Sequence, residues 1–311
     1  MSRDILVFGS VVDPFPVWRD ALAAHLQEVD ILEPEAVDDP QAVKYALVWK
    51  PPADFFAAYP NLELIINLGA GVDALVSRTD LPDVPITRIS DPEMATMMAG
   101  YVQFSVLRYA RDIPQFEKAQ RSGQWHYLHP RDAGDIKVGV LGLGELGGCA
   151  ARELARLGFD VRGWSRSEKK IDGVKTFNGM AALDGFLADS EISVVMLPAT
   201  PETRQLLDAN RLAQLPKGAR LINVSRGEII VEAALVEALR SGHIGGATLD
   251  VFEVEPLPES SPLWSMENVL ITPHIASVAI PRSAARQIAE NINRLRAGGS
   301  VRHRVDPARG Y

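Results

Sequence analysis

The chain has few of the features that mark secreted, membrane-spanning or nucleic-acid-binding proteins. Its one cysteine, Cys149, excludes an internal disulfide and fits a reducing cytoplasm. No apolar run approaches the roughly 18 residues of a spanning helix, and the apolar run at residues 5–8 is too short for a secretory signal. The net charge of −8, without a basic patch, disfavours nucleic acid. We therefore expect a cytoplasmic protein with neither a membrane nor a nucleic-acid partner.

Metal-ligand patterns are also missing, whereas the bulk composition is that of a globular protein. No Cys/His cluster has the spacing of a metal site, so no metal is predicted. Hydrophobic residues make up 47% and charged residues 23% of the chain, which excludes a disordered or fibrous protein. A length of 311 residues predicts about two domains, each with its own core.

The most informative segment is residues 136–147, which read IKVGVLGLGELG. An apolar strand ends in a G-x-G-x-x-G spacing, and an amphipathic helix and a second strand at 159–164 follow. Gly142 permits the tight turn, Gly144 lets the backbone approach a pyrophosphate, and Gly147 lets the helix pack closely on the strand. The complete strand, turn, helix and strand predict a dinucleotide site.

The end of the second strand indicates which nicotinamide cofactor fits. An acid there binds the ribose 2′-hydroxyl of NAD, but this chain has Ser165, Arg166 and Ser167 at that point, followed by Lys169 and Lys170. Hydroxyl and guanidinium donors suit a 2′-phosphate. NADP, as NADPH, is the predicted cofactor, and NAD is the weaker possibility. The two lysines are also consistent with a solvated basic turn.

Apolar runs alternate with helical patterns along both halves of the chain, which predicts parallel sheets flanked by helices. A long helical pattern at 93–112 leads into the glycine-loop region, and Pro281 begins a last helix that can return to the first domain. The predicted fold class is α/β with two doubly wound parallel-sheet domains. A Rossmann cofactor domain at 99–280 is inserted into a flavodoxin-like substrate domain at 1–98 plus 281–311.

Three segments of the second half each place a charged or titratable residue just past a strand, where ligands bind in open α/β sheets. They read NVSRG at 223–227, DVFEVEP at 250–256 and TPHIAS at 272–277. In this order, behind the glycine loop, they resemble the D-2-hydroxyacid dehydrogenase family over most of the chain. Trp49, the 164–167 segment and residues 101–111 resemble its A-type glyoxylate/hydroxypyruvate reductase branch.

The resemblance implies reduction of a small 2-oxo acid, with three residues in catalytic roles. The fork of Arg226 suits the substrate carboxylate and polarises the ketone. His274 would donate the proton, and Glu255 would hydrogen-bond its far nitrogen and favour its protonated form. Glu253 competes for the acid role, but the family pattern places the acid directly before Pro256. Each residue taken singly also fits a surface or loop position.

The family pattern also implies binding residues. In the first half, the backbone amides of Ala70 and Gly71 would hold the substrate carboxylate, although an ordinary turn is the alternative. Trp49 would limit the pocket to short substrates, with a core position as an equal alternative. The predicted cofactor-binding set is Gly142, Gly144, Glu145, Leu146, Gly147, Ser165, Arg166, Ser167, Leu197, Pro198, Thr203, Val224, Ser225, Arg226, Asp250, His274 and Ala276.

The expected reactions are glyoxylate to glycolate and hydroxypyruvate to D-glycerate, in a homodimer by family resemblance. One alternative keeps the fold and changes the substrate to a bulkier 2-oxo acid. Another is a dinucleotide-sensing scaffold without catalysis, which shares the fold.

Overall fold

The structure is a computed structural model that describes residues 3–306. The chain divides into two compact units, one formed by Met1–Met94 with Val278–Tyr311 and the other by Ala95–Ser277. The first unit is therefore built from both ends of the chain, and the second is continuous. The domain limits drawn from the sequence, at 98/99 and 280/281, remain a prediction.

The first unit contains a five-stranded sheet in which every strand pair is parallel and the strand order is β2-β1-β3-β4-β5. Elements are numbered along the chain: β1 (Asp4–Gly9), α1 (Phe15–Ala23), β2 (Val29–Leu32), β3 (Val43–Val48), β4 (Leu64–Asn67), α2 (Asp73–Val76) and β5 (Ile86–Arg88). The helix α3 (Pro92–Ala110) begins in this unit and continues into the second.

The last helix, α9 (Pro281–Arg296), belongs to the first unit and packs against α1. It buries Ala284, Ala285, Ile288, Ala289 and Ile292, whose spacing of three and four residues forms one apolar face. These side chains share a core with Trp18 and Leu22 of α1 and one face of the sheet. A second core, which includes Phe55, Phe56 and Tyr59, covers the other face.

The second unit contains a seven-stranded, all-parallel sheet in the order β12-β11-β10-β9-β6-β7-β8. Its elements are α4 (Ile113–Arg121), β6 (Lys137–Leu141), α5 (Glu145–Arg156), β7 (Asp160–Ser165), β8 (Val174–Asn178), α6 (Leu183–Ala188), β9 (Ile192–Val195), α7 (Ala209–Gln214), β10 (Ala219–Asn223), α8 (Glu232–Arg240), β11 (Ile244–Leu249) and β12 (Val269–Ile271).

Two hydrophobic cores cover the two faces of this sheet, and its central strands are buried almost throughout, as parallel sheets require. The two sheets confirm the predicted fold class of two doubly wound parallel-sheet domains. In each sheet, all strands end at the same edge. The strand order of the second unit reverses between β6 and β9, where ligands bind in such sheets.

One helix differs from its prediction. The pattern at 204–214 predicts a helix over the whole segment, but α7 begins only at Ala209. Asp208 caps it by accepting a hydrogen bond from the Arg211 amide at 2.9 Å. The preceding residues form a turn, and Leu207 bridges to Ile230. A side-chain cap therefore sets the start of the helix, which the apolar periodicity does not reveal.

Within residues 3–306, no helix is both long enough and apolar enough to cross a bilayer. In the same part of the chain, no three side chains of His, Cys, Asp or Glu come together as a possible metal-binding group.

Candidate active site

The glycine loop joins β6 to α5, and steric contacts explain two of its three glycines. Gly142 has a φ of 107°, and a Cβ there would lie 2.5 Å from the Met196 carbonyl oxygen. A Cβ on Gly147 would lie 1.9 Å from the Gly142 oxygen. Gly144, which precedes α5, is exposed, and a Cβ there would meet no atom within 4 Å. The outer glycines thus let strand and helix pack, while the middle one leaves open space at the start of the helix, as a dinucleotide phosphate requires.

The segment after β7 exposes Arg166 and Ser167, whereas Ser165 is buried. The Ser165 hydroxyl donates to the Ser167 carbonyl at 2.7 Å, so this serine shapes the turn. Arg166 lies close enough to Glu202 to contribute to a lowered pKa of that exposed carboxyl, although the Thr200 hydrogen bond is the larger cause. The exposed guanidinium is therefore within electrostatic range of the loop that follows β9.

That loop contains Leu197, Pro198 and Thr203. Leu197 is buried in the core of the second unit, and Pro198 is exposed. The Thr203 hydroxyl donates to the Pro198 carbonyl at 2.6 Å and accepts from the Thr200 amide at 2.8 Å. The threonine thus fixes the loop, and Pro198 is the member of the predicted pair that faces solvent.

Arg226 follows β10 in a loop that hydrogen bonds of the Asn223 side chain hold in place. The buried Asn223 side chain donates to the Arg226 carbonyl at 2.9 Å and accepts from the amide and hydroxyl of Ser225 at 3.1 and 2.9 Å. The Arg226 guanidinium, which is half-buried, donates to the Ser225 carbonyl at 2.6 Å. A Cβ on Gly227 would lie 1.9 Å from the carbonyl carbon of Phe252, so only glycine allows this close approach.

His274 and Glu255 are in direct contact. Their Nδ1 and Oε2 atoms are 2.9 Å apart, and the two side chains are 28% and 22% exposed. The other Glu255 oxygen accepts from the Phe252 amide at 3.2 Å, so the carboxylate is held at both oxygens. The contact at Nδ1 leaves Nε2 as the ring nitrogen that points away from the acid. His274 has a φ of 57°, an uncommon backbone conformation for a non-glycine residue.

Glu253, the competing acid, has a different partner. Its Oε1 accepts from the Glu232 amide at 3.0 Å, at the start of α8. Burial and, to a smaller extent, the Glu253 charge raise the pKa of Glu232. The geometry therefore pairs Glu255 with the histidine, as the family pattern predicts.

Asp250 holds the loop that carries His274. Its carboxylate is buried, and Oδ1 accepts from the Thr272 hydroxyl at 2.5 Å and the Ile275 amide at 2.9 Å. Oδ2 accepts from the Ala276 amide at 2.9 Å, and the Asp250 carbonyl accepts from the His274 amide at 2.9 Å. Asp250 belongs to the predicted cofactor-binding set, and the motif that contains it gives no sign of these contacts to the loop.

Tyr101 on α3 also reaches this loop. Its hydroxyl is 2.6 Å from the Thr272 hydroxyl. Because the Thr272 hydroxyl donates its hydrogen to the Asp250 carboxylate, it accepts a hydrogen bond from the Tyr101 hydroxyl. Burial raises the pKa of Tyr101 and keeps it a donor.

The first unit holds the predicted substrate residues Trp49, Ala70 and Gly71 after β3 and β4. Trp49 is half-buried, and its ring lies against Gly69, where a Cβ would come within 2.5 Å of the ring. Ala70 and Gly71 are half-buried in a turn braced by the side chain of Asn67. Trp49 thus packs against the turn that is predicted to hold the carboxylate.

Asn67 and Asn223 are buried residues that the sequence analysis did not select. Each is the last residue of a strand and donates to carbonyls of the following turn. An asparagine that ends an apolar strand and precedes a glycine-containing turn is the sequence signal that could have found them.

Comparisons with known proteins agree with this architecture. A family model described as "D-isomer specific 2-hydroxyacid dehydrogenase, NAD binding domain" matches residues 104–276. Glyoxylate/hydroxypyruvate reductase A of Serratia proteamaculans is 40% identical over 300 residues, which cover 94% of this chain and 96% of that protein.

Two crystal structures are similar over nearly the whole chain. A D-isomer specific 2-hydroxyacid dehydrogenase from Xanthobacter autotrophicus Py2, solved with NADPH and MES, is 64% identical with a TM-score of 0.95 and covers 99% of this chain and 100% of its own. The NADPH-dependent glyoxylate/hydroxypyruvate reductase of Sinorhizobium meliloti, solved with NADP and sulfate, is 36% identical with a TM-score of 0.94 and the same coverage. These matches confirm the resemblance drawn from the sequence motifs, and the chain belongs to the D-isomer specific 2-hydroxyacid dehydrogenase family.

Proposed function

We propose that this protein is an NADPH-dependent reductase of small 2-oxo acids, which converts glyoxylate to glycolate and hydroxypyruvate to D-glycerate. The observation that carries the proposal is the 2.9 Å contact between His274 and Glu255, in a chain whose similar proteins include glyoxylate/hydroxypyruvate reductases. Overall, one 2-oxo acid, one NADPH and one proton give one 2-hydroxy acid and NADP⁺.

The proton is assigned to His274. Glu255 accepts from Nδ1–H, which fixes the ring orientation and stabilises the imidazolium, so that Nε2–H donates to the substrate oxygen. When bound, NADPH supplies the hydride to the carbonyl carbon. The C=O double bond thereby becomes a C–O single bond, with a new C–H bond on the carbon and a new O–H bond on the oxygen, and His274 is left neutral until it takes up a proton from water.

Arg226 is assigned to the substrate carboxylate and carbonyl oxygen. Its loop is fixed by the buried Asn223, so the guanidinium is held on a braced backbone. A guanidinium fork suits a planar carboxylate, and its charge stabilises the negative charge that develops on the carbonyl oxygen.

The residues present fit NADP at the glycine loop and the turn after β7. Open space at Gly144 suits the pyrophosphate, and the exposed Arg166 and Ser167 suit a 2′-phosphate. Crystal structures similar to this chain contain NADPH or NADP.

Substrate size is assigned to Trp49, whose ring is fixed against Gly69. A fixed indole beside the carboxylate turn would restrict the pocket to a short 2-oxo acid. A bulkier substrate is the alternative within the same family. Efficient turnover of long-chain 2-oxo acids, with weak turnover of glyoxylate, would favour it.

The decisive experiment is NADPH oxidation with a series of 2-oxo acids of increasing chain length, repeated with NADH. We expect the highest kcat/KM for glyoxylate or hydroxypyruvate with NADPH, and D-glycerate as the product of hydroxypyruvate. If no 2-oxo acid supports oxidation while NADPH still binds, the scaffold alternative gains support and the proposal fails.

Arg166→Asp tests the cofactor assignment. The 2′-phosphate contact exists for NADPH alone, and charge-assisted hydrogen bonds contribute about 1.5–3 kcal/mol each. The kcat/KM ratio of NADPH over NADH should therefore fall by at least about tenfold in this variant. Lys169→Asp, in the same exposed turn, makes the same charge change as a control. An unchanged ratio in Arg166→Asp would show that the turn does not bind the phosphate.

We also propose a cytoplasmic homodimer. Large apolar side chains are exposed on α3, α4 and the following segment: Phe104 (53%), Leu107 (39%), Ile113 (39%), Trp125 (99%) and Tyr127 (73%). Exposed apolar side chains on successive elements are what an interface between subunits would cover. Sedimentation should give the mass of two chains, and Trp125→Ser should weaken the dimer. The single cysteine supports the location, which cell fractionation tests.

A further inference from the structure

Three successive carbonyls of the turn after β4 are held by side chains of the same unit. The Nδ2 atom of Asn67 donates to the carbonyls of Gly69 and Gly71, at 2.8 and 2.9 Å. The Arg88 guanidinium donates to the Ala70 carbonyl at 3.2 Å. Asn67 is only 3% exposed, and the two hydrogens of its side-chain amide form the hydrogen bonds to the carbonyls of Gly69 and Gly71.

The positions of these carbonyls determine the directions in which the N–H groups of the following residues point. The peptide bonds of this turn are trans, so each carbonyl and the next N–H point to opposite sides. Because one nitrogen binds the carbonyls of Gly69 and Gly71, the N–H groups of Ala70 and Val72 both point away from Asn67. The Gly71 N–H likewise points away from Arg88. The directions of the Ala70 and Gly71 amides are therefore set by the two side chains that hold the preceding carbonyls, Asn67 and Arg88.

We propose that Asn67 is a positioning residue that aims this turn at the substrate carboxylate, and that Arg88 supports it. The inference rests on the proposed function, which assigns the carboxylate to the amides of Ala70 and Gly71. Asn67 never touches the substrate; it fixes the carbonyls, and the carbonyls fix the amides.

The choice of side chain is as important as its position. A buried amide donates twice without adding charge. An aspartate has the same shape, but its carboxylate oxygens would repel the two carbonyl oxygens that Asn67 binds. It would also add a negative charge near the amides, which disfavours a bound anion. Asn67→Asp should therefore weaken anion binding more than Asn67→Ala, which only removes the brace.

The test measures binding separately from turnover. Oxalate, a dicarboxylate of the size of glyoxylate, is titrated calorimetrically into the enzyme with saturating NADP⁺. We expect its Kd to rise about tenfold in Asn67→Ala, the order of one to two lost hydrogen bonds, and further in Asn67→Asp. Asn61→Ala is the matched control, because Asn61 braces the exposed Gln41 in the same unit and should leave the Kd unchanged.

Kinetics separate positioning from a general loss of structure. An anchor that holds the carboxylate equally in ground and transition states affects KM and spares kcat. The KM for glyoxylate should rise in parallel with the oxalate Kd, with kcat within about twofold and NADPH affinity unchanged. Should Asn67 variants fail to fold, Arg88→Met removes the brace of Ala70 and should raise the oxalate Kd about threefold.

An oxalate Kd within twofold of wild type in every folded variant overturns the inference, as does a wild-type enzyme that binds no oxalate. If wild type reduces no 2-oxo acid but oxalate binding still depends on Asn67, the proposed function fails and the inference stands.

Discussion

Asp250→Asn is the substitution whose effect follows most directly from the structure. The carboxylate lies 1% exposed and receives three donors from the His274 loop: the Thr272 hydroxyl, the Ile275 amide and the Ala276 amide. Asparagine preserves the shape and replaces one acceptor oxygen with an NH₂ group. If its oxygen keeps the two donors at Oδ1, the NH₂ group faces the Ala276 N–H across 2.9 Å.

The expected cost follows from that mismatch. A buried N–H left without an acceptor costs about 1–3 kcal/mol, and the two remaining bonds lose the strength that the charge gives them. We therefore expect the second unit to lose about 2–4 kcal/mol of unfolding free energy. The His274 loop should also shift, because the amide that loses its acceptor belongs to Ala276, two residues after the histidine.

Urea unfolding at pH 7, together with steady-state kinetics, measures both effects. Asp208→Asn is the control, because Asp208 also accepts from a backbone amide, but at a helix cap where asparagine serves as well as aspartate. The control should stay within about 0.5 kcal/mol of wild type. An Asp250→Asn enzyme with wild-type stability and kcat would refute the view that this carboxylate holds the loop.

Three further predictions concern separate parts of the second unit. His274→Asn should lower kcat by roughly two to four orders of magnitude and leave the NADPH Kd unchanged, so near-normal turnover would remove its assignment as proton donor. Gly227→Ala should lower the melting temperature and reduce kcat/KM by at least about tenfold, because its Cβ would overlap the Phe252 backbone. Gly185→Ala, in open space on α6, is the control and should melt no lower than wild type. The Arg108 guanidinium lowers the pKa of Glu117 from its ordinary 4.5, so this pair stabilises the fold above that pH and the stabilisation is lost as pH falls through the lowered value. Glu117→Gln should thus cost about 1 kcal/mol or less at pH 7, less in high salt, and nothing in acid; equal urea midpoints at pH 7 would contradict this.

The sequence predicts best the features that local rules determine. The glycine loop lies between a strand and a helix as predicted, because the spacing of its glycines is a steric requirement of that turn. The strand predicted at 159–164 is likewise observed as β7 (Asp160–Ser165), since buried parallel strands are continuous apolar runs.

Elements at the edges of the sheets were missed for the opposite reason. The strand β8 reads VKTFN and is half-exposed, so it lacks an apolar run. The strand β2 is only four residues long. Both strands pair with a neighbour in the folded sheet, and such long-range pairing leaves little trace in a segment that is very short, as β2 is, or largely polar, as β8 is.

In the candidate site, motif order identifies which residues to consider, but it does not give the direction of their hydrogen bonds. The Ser165 hydroxyl was interpreted as a phosphate donor, and it donates to a carbonyl of its own turn. The braces formed by Asn67 and Asn223 depend on the conformation of the following turns, which apolar periodicity does not describe. A sequence therefore names side chains near a ligand more readily than those that support them.

The discontinuity of the first unit has a consequence for synthesis on the ribosome. Its strands leave the ribosome first, but the helix that covers one face of their sheet, α9, is made only after residues 95–277. Until then, Trp18 and Leu22 lack the apolar face that α9 supplies. We expect the continuous second unit to fold while the first waits, so that the nascent amino-terminal segment is the part that chaperones must shield and that aggregates when translation stops early.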